Sequence, residues 1–156
     1  MKMRETTADV AVFIEESPDR VWDALTDPKK IEDYYLGATV ETDWKVGSPI
    51  TWSGEWKGRA YLDKGKILAI EPERKLSYSH WSPLAGTPDE PDSYHVIEVF
   101  LDEADGGTSV RLTQSNQSGE VTADDRNART EYEKNWKTML EGLKRVVENA
   151  DVPPLT

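Results

Sequence analysis

The chain has 156 residues, with 19 Lys and Arg against 30 Asp and Glu, which gives a formal net charge of −11 at pH 7. This length is typical of one domain, and an acidic chain repels nucleic-acid phosphates and anionic lipid surfaces. The absence of cysteine excludes disulfides, thiolate nucleophiles and Cys-ligated zinc.

The first predicted elements are a strand and two short helices. Residues 9–16 are rich in strand-forming side chains and end at Ser17-Pro18. Ser17-Pro18 and Asp27-Pro28 each join a capping side chain to proline at the first helical position, which predicts two helix starts. Each helix has only about two turns and is too short to be stable alone, so both must pack on another element.

Between Gly37 and about residue 116 the hydrophobic pattern has a period of two, which predicts a run of antiparallel strands. On several strands one parity is apolar and its neighbours are polar. The sheet therefore has one covered face and one solvated face. The apolar parity carries Ile50, Trp52 and Trp56; Leu76 and Tyr78; Ile97, Val99 and Leu101; Val110 and Leu112.

The last predicted element is one long helix from Thr122 to Asn149. Thr122 and Asp125 have the spacing of a capping box at its start. Its charged faces, which include Glu131, Glu133, Lys134, Lys137 and Lys144, are expected to be solvated. One apolar stripe follows the helical period, and it is formed by Ala128, Tyr132, Trp136, Met139, Leu140, Leu143 and Val147.

A sheet with one apolar face and a helix with one apolar stripe bury both surfaces when the sheet curls around the helix. We therefore predict an α+β fold: a curved antiparallel sheet of about six or seven strands wrapped around a long C-terminal helix. The two short helices lie between strands 1 and 2. We expect a single domain over residues 8–150, a tail at 151–156 and a cytoplasmic location.

Three stretches resemble the SRPBCC, or START-related, helix-grip proteins, and within them the group similar to the activator of heat-shock-protein-90 ATPase. They are residues 14–35, residues 65–81 and residues 135–148. The resemblance implies the helix-grip fold, with an elongated cavity between the sheet and the long helix. Members of this superfamily bind lipids, sterols, polyketides or hormones, some are cyclases or ring-hydroxylase subunits, and a eukaryotic branch stimulates a chaperone ATPase.

His80 and His95 are the only histidines, and both fall on the apolar parity of their strands. If the loop from Ser82 to Ser93 closes a hairpin, the two side chains lie opposite each other, with Cβ atoms about 5 Å apart. Two histidines without a clear third ligand do not make a metal site. We expect a hydrogen-bonded pair at the cavity mouth, and as a sharper hypothesis a pair that binds an anionic or phenolic end of a ligand.

The aromatic residues favour either a core or a cavity lining. Because neighbouring helical residues cannot share a face, one of Tyr34 and Tyr35 is expected to face the cavity and the other solvent or a partner. Arg111 has the opposite parity from Gln114 and is expected to be a surface charge. The predicted pocket is lined by Tyr34, Tyr35, Trp52, Trp56, Tyr78, His80, His95, Ile97, Val99, Leu112, Gln114, Tyr132, Trp136, Met139 and Leu140.

Three functions are compatible with this pattern. The first is a non-enzymatic module that binds a small, largely apolar molecule in a cavity of several hundred cubic ångströms. The second is a protein-interaction module whose partner is a chaperone, and the third is a cyclase, dehydratase or hydrolase that uses His80, His95 or Tyr78 as acid or base. We predict no catalytic residue, no metal and no cofactor, and either a monomer or a homodimer, with neither nucleic acid nor membrane as a partner.

Overall fold

The computed structural model of the chain describes residues 5–35 and 37–149. The side chain of Trp56 and the predicted tail at 151–156 lie outside the described residues. In chain order the elements are β1 (Thr6–Ile14), α1 (Pro18–Thr26), α2 (Pro28–Tyr34), β2 (Thr39–Thr42), β3 (Pro49–Trp56), β4 (Arg59–Glu71), β5 (Lys75–His80), β6 (His95–Ala104), β7 (Gly107–Asn116) and α3 (Ala123–Glu148).

The strands form one antiparallel sheet in the order β1-β7-β6-β5-β4-β3-β2. The first strand therefore lies beside the last, and β1 and β2 are the two edges. Helix α3 packs against β1, α1 and α2, and its Leu140, Leu143 and Val147 are buried with the apolar residues of the sheet. This arrangement confirms the predicted α+β helix-grip fold.

The two short helices begin where proline predicts, but only one is capped as expected. The Asp27 carboxylate accepts a hydrogen bond from the backbone N–H of Lys29 at 3.0 Å, as an N-cap should. Ser17 makes no such bond, and its hydroxyl donates to the nearby Asp19 carboxylate. The capping prediction is thus confirmed at Asp27 and wrong at Ser17.

Helix α3 begins with the predicted capping box. The Thr122 hydroxyl accepts from the backbone N–H of Asp125 at 3.1 Å, and the Asp125 carboxylate accepts from that of Thr122 at 3.0 Å. The apolar stripe is buried at its C-terminal end, whereas Ala128, Tyr132 and Trp136 are only half-buried. In the described ranges, no helix is long and apolar enough to cross a membrane.

Charged side chains of α3 cover the free edge of β1. These side chains form hydrogen bonds with backbone groups that do not pair with β7, four in β1 and one in Glu15, the residue after it. We call the set the edge clamp: Arg129, Glu133, Lys137, Lys144 and Glu148. Glu133 and Lys144 are half-buried, so the prediction that they are solvated is wrong, whereas Lys137 is exposed as predicted. Their partners are Asp9 N–H at 3.0 Å, the Ala11 carbonyl, and the Phe13 carbonyl at 2.7 Å.

Strand β1 starts earlier than the predicted residues 9–16. Thr6 pairs with Ser115 and Ala8 with Gln114, with a register shift between them. The Thr7 hydroxyl within this irregularity donates to the Gln114 carbonyl at 3.2 Å. These bonds extend the strand through polar residues, which a hydrophobic pattern cannot detect.

Candidate functional site

The inner face of the sheet has an apolar end and a polar end. Near α1 and α2 it carries buried aliphatic residues, among them Ile50, Leu76, Val99 and Leu101. Alternate residues of a strand share one face of the sheet. Toward the other end of the sheet, the alternate residues on this inner face are polar. The polar side chains are Asp63 on β4, His80 on β5, His95 on β6, and Gln114 and Asn116 on β7.

Four aromatic rings meet where these two ends join, and we call them the aromatic cluster: Tyr35, Trp52, Tyr78 and Trp136. The ring centroids of Trp52 and Tyr78 are 5.1 Å apart. Tyr35 stacks on Trp52 at 6.3 Å and meets Trp136 edge-on at 6.4 Å. Trp52 also contacts the His80 ring at 5.1 Å, so the cluster links the apolar end to the polar end.

A cavity lies between the aromatic cluster and the aliphatic residues. Its volume is about 30 Å³, which is room for about two water molecules and far below the several hundred cubic ångströms expected. Large rings packed against one another fill the rest of this space. The lining residues are Leu25, Ile31, Tyr34, Tyr35, Val40, Trp44, Ile50, Trp52, Leu76, Tyr78, Val99 and Met139.

Tyr34 and Tyr35 both line this cavity, so the expectation that one of them meets solvent is wrong. Helix α2 ends at Tyr34, and Tyr35 is a non-helical cap with φ −111° and ψ 60°. The rule that neighbouring helical residues face apart therefore does not apply. The Tyr34 hydroxyl donates to the Ala24 carbonyl at 2.8 Å, and burial raises the pKa of both phenols well above the ordinary 10.0.

Five polar side chains cross the sheet from β4 to α3, and we call them the polar row: Asp63, His80, His95, Asn116 and Asp125. His80 Nε2 lies 2.9 Å from Asp63 Oδ2, and His95 Nδ1 lies 3.1 Å from Asn116 Oδ1. Asn116 Nδ2 donates to Asp125 Oδ2 at 2.7 Å. His80 and His95 are direct partners in the register of β5 and β6, which confirms their predicted opposition.

The electrostatics of the polar row differ from the expectation of an anion site. Burial, and then the neighbouring His80, lower the pKa of His95 below 6.5, so its neutral form is favoured. The Asp63 carboxylate beside His80 repels an anionic ligand group. Over the described ranges, no three His, Cys, Asp or Glu side chains come close enough to hold a metal ion.

The remaining predicted pocket residues have other surroundings. Trp136 Nε1 donates to Gln114 Oε1 at 2.7 Å, so this pair joins α3 to β7. Tyr132 is half-buried on α3. Ile97, Leu112 and Leu140 are fully buried and are core residues rather than lining residues of this cavity.

The residues of the site that were not predicted as site residues include Asp63, Asn116 and Trp44. Parity could have found two of them, because Asp63 shares its parity with Ile67 on β4 and Asn116 shares its parity with Gln114 on β7. Trp44 lies in the loop after β2 with a φ of 56°. No hydrophobic period reaches an irregular loop residue, so the sequence held no signal for it.

Comparisons with known proteins match this architecture. Residues 15–148 match the family described as Activator of Hsp90 ATPase homolog 1-like protein. ChR145 from Cytophaga hutchinsonii is 45% identical, with 96% of this chain and 98% of that chain covered and a TM-score of 0.76. The Aha1 dimer from Colwellia psychrerythraea is 21% identical over 92% of this chain and 97% of that chain, with a TM-score of 0.66.

A third similar structure is DynU16, a protein encoded in the dynemicin biosynthetic locus. It is 15% identical, and the match covers 92% of this chain and 47% of that chain with a TM-score of 0.73. At this identity the likeness shows a shared fold alone. The comparison with curated proteins finds no match.

Proposed function

Because the chain belongs to the family of Activator of Hsp90 ATPase homolog 1-like proteins, we propose that it uses the helix-grip fold to bind a small, largely apolar molecule between the sheet and α3. The proposal is for a binding protein without catalysis. The observation that carries it is the aromatic cluster, which joins an apolar cavity to buried polar groups. Binding sites for small molecules combine these two features: apolar walls and a few placed polar groups.

A ligand larger than about two water molecules must displace side chains that line the cavity. Three lining residues are suited to move. Met139 has an unbranched side chain with three rotatable bonds, and Tyr35 lies at the end of a helix. Trp44 has a φ of 56°, which is strained for a bulky residue.

Binding can be tested with a panel of fatty acids, sterols and aromatic polyketides, by thermal unfolding and native mass spectrometry. At least one compound is expected to raise the unfolding temperature and to add its mass to the protein in a one-to-one complex. Met139→Trp places a large ring in the cavity and should abolish this binding. Thr138→Trp adds the same ring at an exposed neighbouring position of α3 and should leave binding unchanged.

Two results would contradict this function. One is a panel in which no compound binds the purified protein. The other is a Met139→Trp protein that is folded and binds as tightly as the wild type, since the bound molecule would then lie elsewhere.

A second function is favoured by the family match and by the likeness to the Aha1 dimer. In this alternative the protein stimulates the ATPase of a chaperone. The test adds the purified protein to the Hsp90 of the same organism and measures ATP hydrolysis. A rise in hydrolysis that Met139→Trp leaves intact would support the alternative, and an unchanged rate would exclude it.

A further inference from the structure

We propose that the ligand carries a protonated amine that binds at Asp63, with its apolar body in the cavity beside the aromatic cluster. This inference rests on the proposed binding function and adds to it the chemical class of the ligand. It depends on three features of the inner face: an unsatisfied carboxylate oxygen, a set of hydrogen-bond acceptors, and aromatic rings at the same place.

The Asp63 carboxylate is buried and only half satisfied. The residue is 9% exposed, and its Oδ2 lies 2.9 Å from His80 Nε2. Its Oδ1 is buried and has no hydrogen-bond partner among the described residues. Because a buried polar atom without a partner is costly, Oδ1 is suited to accept a hydrogen bond from a ligand.

The two histidines add acceptors at this site. His80 Nε2 faces a carboxylate oxygen and His95 Nδ1 faces an amide oxygen, so these two nitrogens carry the ring protons. In a neutral ring the other nitrogen is an acceptor, and the lowered pKa of His95 favours its neutral form. The assignment of Asn116 is consistent, because its Nδ2 donates to the Glu120 carbonyl and to Asp125.

The surroundings of Asp63 suit a cation. Trp52 is its register partner on β3, and Tyr35 stacks on Trp52. The faces of such rings attract ammonium groups. The neighbouring cation, Lys64, lies on the opposite face of β4, where it pairs with Asp89 and lies over the Trp81 ring.

Three probes with one apolar body separate the charge preference from binding itself: 1-naphthylmethylamine, 1-naphthylmethanol and 1-naphthoic acid. Their dissociation constants are measured by quenching of tryptophan fluorescence. The amine is expected to bind at least about tenfold more tightly than the alcohol, the scale of one desolvated cation–π contact or charge-assisted hydrogen bond. The acid should bind more weakly than the alcohol.

Asp63→Asn keeps the shape of the side chain and removes its charge. In this variant the amine should lose its advantage, while the affinity for the alcohol stays the same. Asp102→Asn, at an exposed position of β6, is the matched control and should retain the preference. The comparison of the three probes on the wild-type protein also tests the inference without any variant.

The outcomes distinguish this inference from the function on which it rests. If the alcohol or the acid binds as tightly as the amine, or if Asp63→Asn keeps the preference, the inference is wrong and the binding function stands. Zn²⁺ that displaces the amine in a one-to-one ratio would also overturn it, in favour of a metal. If neither the probes nor the lipid and polyketide panel bind, both fail.

Discussion

The side chain of Gln114 helps to tie the sheet to the long helix. Its Oε1 accepts from Trp136 Nε1 at 2.7 Å, and its Nε2 donates to the Thr7 hydroxyl at 2.9 Å. The residue is 6% exposed, so water cannot easily replace either bond. One amide therefore fixes the position of the Trp136 ring relative to β1 and β7.

Gln114→Leu should destabilise the protein by about 1–3 kcal/mol, because the Trp136 N–H loses its acceptor and the buried Thr7 hydroxyl loses a donor. Urea unfolding of the variant measures this change in the free energy of unfolding. Trp136→Phe removes the indole N–H. The double variant should lose less free energy of unfolding than the sum of the losses in the two single variants. Strictly additive losses would show that the bond between Gln114 and Trp136 does not contribute.

His95 should make stability depend on pH. Its pKa is lowered below 6.5 in the folded protein, first by burial and then by His80, while its contacts with Asn116 and Asp125 act in the other direction. The unfolded chain therefore binds more protons below about pH 6.5. The free energy of unfolding is expected to be highest above that pH and to fall as the pH drops toward the folded pKa.

Urea unfolding between about pH 5 and pH 8 measures this dependence. His95→Gln keeps a donor for Asn116 and removes the titration, so its curve should be flatter than that of the wild type over this range. Asp9 and Asp125 have pKa values below 3.8 in the folded protein and titrate at lower pH. A variant curve as steep as the wild-type curve would contradict the prediction.

An individual contact could be predicted only where the alternation of two strands and the turn between them determine which residues face each other. His80 and His95 follow from a hairpin, because the residues that flank the loop must face each other. Asp63 meets His80 across β4 and β5, whose register shifts between Ile67 and Ala69. Since an irregularity of this kind is not visible in a period of two, the partner of His80 could not be predicted.

At the scale of elements, the two helix starts provide a matched test of capping. Asp27→Ala should cost about 1 kcal/mol in the free energy of unfolding, because the Lys29 N–H loses its acceptor. Ser17→Ala should cost much less, since the Ser17 side chain makes no capping bond. Chemical unfolding of the two variants side by side decides this. Equal losses would contradict the prediction, because they would show that the capping bond of Asp27 adds no stability.

The edge clamp can follow the whole edge of β1 because the matching parts of α3 and of the strand have nearly the same length. From Arg129 to Glu148 α3 extends about 28 Å at 1.5 Å per residue, and from Thr6 to Glu15 the strand extends about 30 Å at 3.3 Å per residue. Charged residues about one or two helical turns apart therefore reach successive free backbone groups of β1 and of the residue after it. A helical pattern of charges resembles a solvated face, and only the tertiary structure reveals these partners.

Removing part of the edge clamp should expose β1 to other chains. With Glu133, Lys137 and Lys144 all changed to Ala, the free backbone groups become available for strand pairing. We expect a larger mass than that of the wild type in size-exclusion chromatography with light scattering. Glu131→Ala with Lys134→Ala changes exposed residues of the same helix and serves as the control. An unchanged mass for the triple variant would contradict the prediction.

For the whole molecule, the hydrophobic periods of the strands and of α3, together with the resemblance to helix-grip proteins, were enough to predict the architecture. A period of two over the strands and a helical stripe on α3 specify which faces must be buried, and a sheet that grips a helix satisfies both. The size of the cavity could not be predicted in this way. It depends on how the rings of Tyr35, Trp52 and Tyr78 pack together, and the hydrophobic pattern contains no information on their rotamers.

The position of β1 also determines when the domain can be completed during synthesis. This strand leaves the ribosome before the other described elements, yet its sheet neighbour is β7 and its free edge is covered by α3, the last two of them. Until α3 emerges, β1 presents an open strand edge, and such edges recruit other chains. Premature termination before residue 123 would leave that edge permanently uncovered, so truncated products should be substrates for chaperones and proteases.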